Sequence, residues 1–221
     1  MFLVGSAVVA GGCSSAGGTA GGGFAFGGPG VTQLTTQAQS PDPDLRREAA
    51  LALGKLRLGG ESAKEVLAVL AGLLRSDGEP LVRSAAAISL GRLGGEESVP
   101  ALVEGLSDQS PLVRADVCSG LGMTGAEGAI APLAGALTLD ASVDVRCASA
   151  RALGNFRELA AWQALVGALG ADRNAVQTAA YQALRRSTGQ RRLPQEQAAW
   201  QKWLAEQEEQ PAGKRRGLFH W

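Results

Sequence analysis

One short motif recurs five times in register along the chain: Leu45-Arg46, Val82-Arg83, Val113-Arg114, Val145-Arg146 and Val176-Gln177. The steps between copies are 37, 31, 32 and 31 residues. Seven residues after each Arg position stands a Leu (Leu53, Leu90, Leu121, Leu153, Leu184), and Gly follows it in the first four copies, at Gly54, Gly91, Gly122 and Gly154. A unit this short cannot bury an apolar face by itself, so a chain built from it must stack its copies into a continuous core.

Each unit reads as two helices, because apolar residues recur three and four positions apart and are interrupted by Gly, Pro or Asp. In the second unit Pro80 opens a helix over about Leu81 to Leu93, Gly94-Gly95 ends it, and Val99 to Leu106 forms the next. Ala86, Ala87 and Leu90 share a face of that helix. The equivalent sets are Ala49, Ala50, Leu53; Val117, Cys118, Leu121; Ser149, Ala150, Leu153; and Ala180, Tyr181, Leu184. Small residues there let neighbouring helices come close. The expected fold is an all-α solenoid of about five helix pairs over residues 31–187. The longer first step, with six extra residues around Ser62 to Ala71, predicts a longer helix at that place.

The run of Asp, then Pro or a small residue, then Val-Arg, an Ala-rich helix and Leu-Gly resembles HEAT repeats, in the short bacterial form also seen in phycobilisome lyases. The resemblance covers roughly residues 31–187 and implies an α-α superhelix. Arg46, Arg83, Arg114 and Arg146 would form a row up such a stack, and Asp77, Asp108 and Asp140 each precede an Arg by six residues. HEAT families use such Asp and Arg residues as a structural ladder, the carboxylate capping the second helix and pairing with an Arg of its own or the adjacent unit. A phosphate-binding row is the alternative reading. The ladder is favoured, because opposite charges in equal number at fixed spacing leave little free positive potential.

After the fifth unit come Thr188-Gly189-Gln190 and then Pro194, expected to start a helix containing Trp200 and Trp203. This resembles the C-terminal end of many bacterial HEAT-repeat proteins, where a helix closes the solenoid. Residues 188–208 are thus expected to cap the last repeat, with an exposed ligand-binding Trp pair as the alternative. Residues 209–221 are polar, then basic (Lys214, Arg215, Arg216), then aromatic, and are expected to lack order, although Leu218 to Trp221 offers a docking segment for a partner or membrane surface.

The other end of the chain is of different character. Its first charged side chain is Asp42, and residues 1–30 hold 11 of the 31 glycines. Met1 to Ala10 is apolar, too short to span a bilayer but within the length of a signal-peptide hydrophobic region. Ala10-Gly11-Gly12-Cys13 resembles a bacterial lipobox, which implies a lipid on Cys13 and a mature N-terminus there. It departs from the pattern in having no Lys or Arg before the apolar run and Ala10 where Leu is usual. Residues 1–13 are therefore read as a lipoprotein signal with its lipobox and 14–30 as a flexible Gly-rich linker. An incidental Cys in a disordered N-terminus is the other reading.

Twenty-one Lys and Arg balance twenty-one Asp and Glu, which disfavours general binding to polyanions. The one His is His220, so the repeats cannot supply a Ser-His-Asp or Cys-His pair or a multi-His metal site. The His-Glu pairs by which the HEAT-repeat deoxyhypusine hydroxylases hold iron are missing. No phosphate-binding loop or dinucleotide fingerprint is present. Hence no catalytic residue, cofactor, metal, nucleic acid or small-molecule substrate is expected. Cys118, on the buried face, and Cys147, nearer its edge, are expected to stay free thiols, since helix spacing of about 8 to 10 Å and their offset exceed disulfide reach.

Function is expected on the exposed face of the second helices, which lines the concave side of HEAT solenoids. Positions two, five and nine after each Arg point away from the core at 100° per residue. They include Glu48, Lys55, Arg92, Asp116, Arg151 and Arg186, interrupted by Ile88 and Met123. Mixed charge with apolar points suits a protein partner better than a nucleic-acid backbone. The expectation is a protein-protein interaction scaffold, tethered to the membrane of the bacterial cell envelope through lipidated Cys13. The alternative is a cytoplasmic HEAT-like enzyme or nucleic-acid-binding protein, of the bilin-lyase or DNA-glycosylase kind, since fold alone does not decide function.

Overall fold

The computed structural model describes residues 30–209. Among them there are eleven α-helices and no strand. They form five pairs: α1 (Val31–Gln37) with α2 (Pro43–Leu53), α3 (Gly60–Ser76) with α4 (Pro80–Leu93), α5 (Val99–Gly105) with α6 (Pro111–Thr124), α7 (Ile130–Leu139) with α8 (Val143–Leu153), and α9 (Leu159–Ala168) with α10 (Asn174–Thr188). A final helix, α11 (Gln197–Glu208), packs on α9. This is an α-solenoid.

Local chemistry fixes where the second helices begin and end. Pro43, Pro80 and Pro111 stand in the first turn of α2, α4 and α6, where a missing N–H costs nothing and φ is already helical. Gly125 and Gly189 stop α6 and α10 in the left-handed region, at φ 66° and 74°, which an L side chain rarely adopts. The long α3, of 17 residues against 7 in α5, takes up the longer first step of the repeat.

The core is a single column. Ala49, Ala50, Leu53, Ala86, Ala87, Leu90, Val117, Cys118, Leu121, Ser149, Ala150, Leu153, Ala180 and Leu184 are all fully buried, whereas Tyr181 is half-buried. Each Leu of that column contributes about 1.5 to 3 kcal/mol by leaving water.

The repeated Gly has a packing cause. A Cβ on Gly54 would lie 2.5 Å from Cβ of Ser89, one on Gly91 2.5 Å from Cα of Gly120, one on Gly122 2.7 Å from Cβ of Ala152, and one on Gly154 2.8 Å from Cβ of Ala183. All four neighbours are the sixth residue after the next unit's Arg position, and all are small. In the fifth unit Arg185 occupies the place of this Gly and is exposed, because among the described residues no further second helix follows α10. Successive second helices therefore approach more closely than successive first helices.

The C-terminal helix does not begin at Pro194 as expected. α11 starts at Gln197, with Glu196 as its N-cap in extended conformation. The carbonyl of Pro194 instead accepts from Nε1 of Trp200 at 2.7 Å, and that of Leu193 from the Tyr181 hydroxyl at 2.9 Å, so this segment is held open across the last pair. Trp200 is fully buried and meets the Tyr181 ring edge-on with centroids 6.3 Å apart. Trp203 sits 5.3 Å from Trp162 of α9. The two Trp thus cover both helices of the fifth pair. The side-chain Nε2 of Gln197 donates to the carbonyl of Val166 near the end of α9, at 3.1 Å.

Candidate functional site

Two rows of side chains run the length of the stack, one on the turns between paired helices and one at the ends of the second helices.

The first row holds the repeated Arg and Asp. The Arg46 guanidinium donates through Nε and Nη2 to Asp77 at 2.7 and 2.8 Å. Arg83 does the same to Asp108 at 2.6 and 2.9 Å, and Arg114 to Asp140 at 2.7 and 2.9 Å. Each Nη1 donates to the carbonyl six residues before it, in Ser40, Asp77 and Asp108 respectively. Every carboxylate therefore pairs with the Arg of the preceding unit, while its own unit's Arg holds the turn through backbone. Nor is it the helix cap that was expected. The N-caps of α4, α6 and α8 are Glu79, Ser110 and Ser142, and the carboxylates of Asp77, Asp108 and Asp140 accept the N–H of those residues. They form turns just ahead of the helices.

These carboxylates lie below the usual Asp range. For Asp77 and Asp140 the hydrogen bond from the Arg outweighs the opposing effect of burial. For Asp108 burial is the largest influence and pushes upward, but hydrogen bonds from Arg83 and the Ser110 N–H together with both Arg charges bring it below its ordinary value. A fourth rung escaped the sequence reading. Arg146 donates through Nη1 to Asp172 at 2.9 Å, a single contact to an exposed carboxylate. Gln177, in the fifth Arg position, keeps the turn bond alone, from Nε2 to the carbonyl of Ala171 at 2.7 Å. With both edges of Arg46, Arg83 and Arg114 occupied, none of the three offers a free fork to a phosphate.

The second row holds the residues considered for partner binding, and the structure divides them. Lys55, Arg92, Met123, Asn155 and Arg186, each nine residues after an Arg position, are all exposed and recur once per unit at the ends of the second helices, as a stripe. Glu48 and Arg151 are exposed too, while Ile88 is half-buried. The position two residues after the Arg does not point uniformly outward: Ala85, Ala148 and Ala179 are buried there, because it faces the adjacent second helix. Asp116, at that position, is accordingly half-buried and accepts from the Ser84 hydroxyl of the preceding unit. Arg186 is also engaged, donating to the carbonyls of Arg151 at 2.6 Å and Gly154 at 3.5 Å. Asn155 makes the equivalent bond to the Gly122 carbonyl at 2.9 Å. These two side chains close the C-terminal ends of the preceding second helices. No ion pair or hydrogen bond engages the side chains of Lys55, Arg92 or Arg151 among the described residues.

Cys118 and Cys147 are buried, free thiols. Burial pushes the Cys118 thiol up to about 12, and that of Cys147 upward as well. Cys13, the segments 1–13 and 14–29, and the tail 210–221 lie outside the described residues. Among the described residues no group of His, Cys, Asp and Glu is placed to hold a metal ion, and no helix is long and apolar enough to cross a membrane.

Comparison with known proteins places this geometry. The family model for HEAT repeats matches residues 30–116, 67–145 and 99–185. No curated protein matches the sequence. Among solved structures the chain is similar to the complex of CpcE and CpcF of phycocyanin lyase from Nostoc, with TM-score 0.58, 22% identity, and 91% of this chain and 79% of that one covered. It is also similar to YibA of Escherichia coli, with TM-score 0.56, 18% identity and 81% of this chain covered; it spans 64% of that protein's length. A designed armadillo repeat protein in complex with the peptide (KR)4 is similar with TM-score 0.51, 20% identity, and 71% and 81% covered. Matched by its family model over most of its length and built as a stack of five helix pairs, the chain belongs to the HEAT-repeat family.

Proposed function

We propose that the chain is a non-catalytic protein-protein interaction scaffold, held at the membrane of the bacterial cell envelope by a lipid on Cys13. The observation that carries the scaffold reading is the stripe of ninth-position residues. In every unit that position is exposed at the end of the second helix, and the Gly contacts and Asp-Arg rungs hold successive units at fixed spacing. A surface preorganised in this way binds with little ordering cost. The neighbouring CpcE–CpcF and armadillo–peptide complexes support a binding role, as similar folds seen with another chain. The anchor rests on the sequence Ala10-Gly11-Gly12-Cys13. Two acyl signals suffice to hold a domain at a bilayer, at about 0.8 kcal/mol per buried methylene.

The test is cross-linking and co-purification from bacteria expressing the full chain labelled with palmitate. Wild type should carry label and retain a protein partner. A Cys13→Ala variant should lose the label, and a Met123→Glu, Arg151→Glu variant should lose the partner but keep the label. Full-length, unlabelled protein in the soluble fraction would refute the anchor. Partner capture unchanged by the stripe variant would refute the scaffold surface, and retardation of duplex DNA by the full chain would favour the nucleic-acid reading.

A further inference from the structure

The first interface of the stack departs from the others, and a cavity opens there. The segment between α2 and α3 carries Lys55, Leu56, Arg57 and Leu58, and Gly60 turns it into α3 with φ 60°. A cavity of about 600 Å3 lies between this segment, the first two turns of α3 and the end of α4. Leu56, Leu58, Leu67 and Leu93 give it apolar walls, and Arg57, Lys64 and Arg92 surround it. A smaller one of about 300 Å3 adjoins it, sharing Leu56, Arg57 and Arg92 and reaching Lys55. The two share a wall and together form one trough that reaches Lys55 and Arg92 of the stripe.

At the last two interfaces the residues in the ninth position are engaged. Asn155 and Arg186, equivalents of Arg92, turn back to the carbonyls ending the preceding second helix, at Gly122 and at Arg151 and Gly154. Among the described residues Arg92 makes no such bond, and it lines both cavities instead. Among the described residues Lys55 and Arg57 likewise have no side-chain ion pair or hydrogen bond, whereas Lys64 pairs with Glu61 at 2.7 Å. Against these three unpaired cations the lining holds one carboxylate, Glu97. In a chain of zero net charge this is a local positive excess beside an apolar pocket.

We infer that this trough binds an acidic peptide segment of a protein partner, an apolar side chain seated among Leu56, Leu58, Leu67 and Leu93 and flanking carboxylates paired with Lys55, Arg57 and Arg92. The inference rests on the scaffold reading and adds the partner's chemistry. The volume suits one or two side chains, being within the range of ordinary ligand pockets of about 300 to 1,000 Å3. Its continuation from one cavity into the next and onto the stripe fits an extended chain better than a compact head group. Charge pairs at such a rim favour the correct partner and speed its encounter.

Fluorescence anisotropy of the full chain with labelled synthetic peptides tests it. A peptide alternating Glu and Leu should bind, and peptides with Lys for Glu or Gly for Leu should not. An Arg57→Glu, Arg92→Glu variant should bind the acidic peptide about tenfold or more weakly, since exposed pairs each change affinity a few-fold. An Ala63→Trp variant, which fills the trough from α3 without changing charge, should lose binding as well. A Lys202→Glu variant, exposed on α11 at the far end of the stack, should bind as wild type does. No binding of the acidic peptide, equal binding by the Arg57, Arg92 variant, or binding of phosphatidylglycerol vesicles in place of the peptide would overturn the inference. If partner capture then still depends on Met123 and Arg151, the scaffold surface stands and the trough alone falls.

Discussion

Replacing Gly91 by Ala separates two opposed effects and so tests the packing of the stack directly. In a helix that tolerates the methyl, Gly→Ala stabilises by about 0.5 to 1 kcal/mol, because Ala has less backbone freedom to lose on folding. At Gly91 the new Cβ would lie 2.5 Å from Cα and 2.6 Å from the carbonyl oxygen of Gly120. Ordinary contact begins near 3.4 Å, so α4 and α6 would have to part by about 0.9 Å at that point. Both obstructing atoms are backbone, which no rotamer change can move aside. Overpacking of this sort costs about 1 to 3 kcal/mol, and the upper part of that range applies where whole helices must shift. The net expectation is a loss of about 1 to 2 kcal/mol, or roughly 3 to 6 °C in Tm for a domain of this size. The control is Gly72→Ala in α3, whose Cβ would meet nothing within 4 Å. That variant should gain about 0.5 to 1 kcal/mol. Thermal and urea unfolding followed by circular dichroism measure both. A Gly91→Ala protein that melts at or above wild type would show that the second helices are not in the contact described, and the stated cause of the repeated Gly would be wrong.

Arg83→Met should destabilise by about 3 kcal/mol in urea melts, because Asp108 is left buried without its partner. A double variant that also replaces Asp108 with Leu should recover part of that loss; no recovery would mean that the buried charge is not its source. The depressed Asp77, Asp108 and Asp140 bind protons more readily when unfolded, so their contribution is complete above the unfolded value near 3.9 and is lost as pH falls through the folded values below it. Melting temperature should therefore drop below about pH 4, and Asp108→Asn should flatten that drop. Trp200→Ala should cost about 3 to 5 kcal/mol, given complete burial, and a Tm within a degree or two of wild type would refute the cap. Iodoacetamide should leave Cys118 unmodified in the native protein at pH 8 and label it after unfolding, as follows from a thiol held at about 12 by burial.

What the sequence determined by itself is what repeats. Leu53, Leu90, Leu121, Leu153 and Leu184 are the centre of the core because a buried face recurs at helical period and nothing else in the unit competes for it. The Arg and Asp positions were legible for the same reason, as opposite charges at fixed separation. Direction was not. That Asp108 pairs with Arg83 and not with Arg114 depends on how far one unit is displaced along the next, which only the stacked helices set. The same displacement decided that Asp116 turns toward Ser84 and Arg186 toward the end of α8, although helical geometry alone pointed both to solvent. Asp172 lacks an Arg six residues later, so no pattern marked it, and proximity to Arg146 made it a rung. Trp162 carried no repeat signal and acquired its partner only when α11 folded back over the last pair. The trough at Arg57 and Arg92 likewise arises where one unit is longer than the rest. A periodic sequence specifies the unit and its inward face; the offset between units, and whatever its one irregularity leaves open, belong to the tertiary structure.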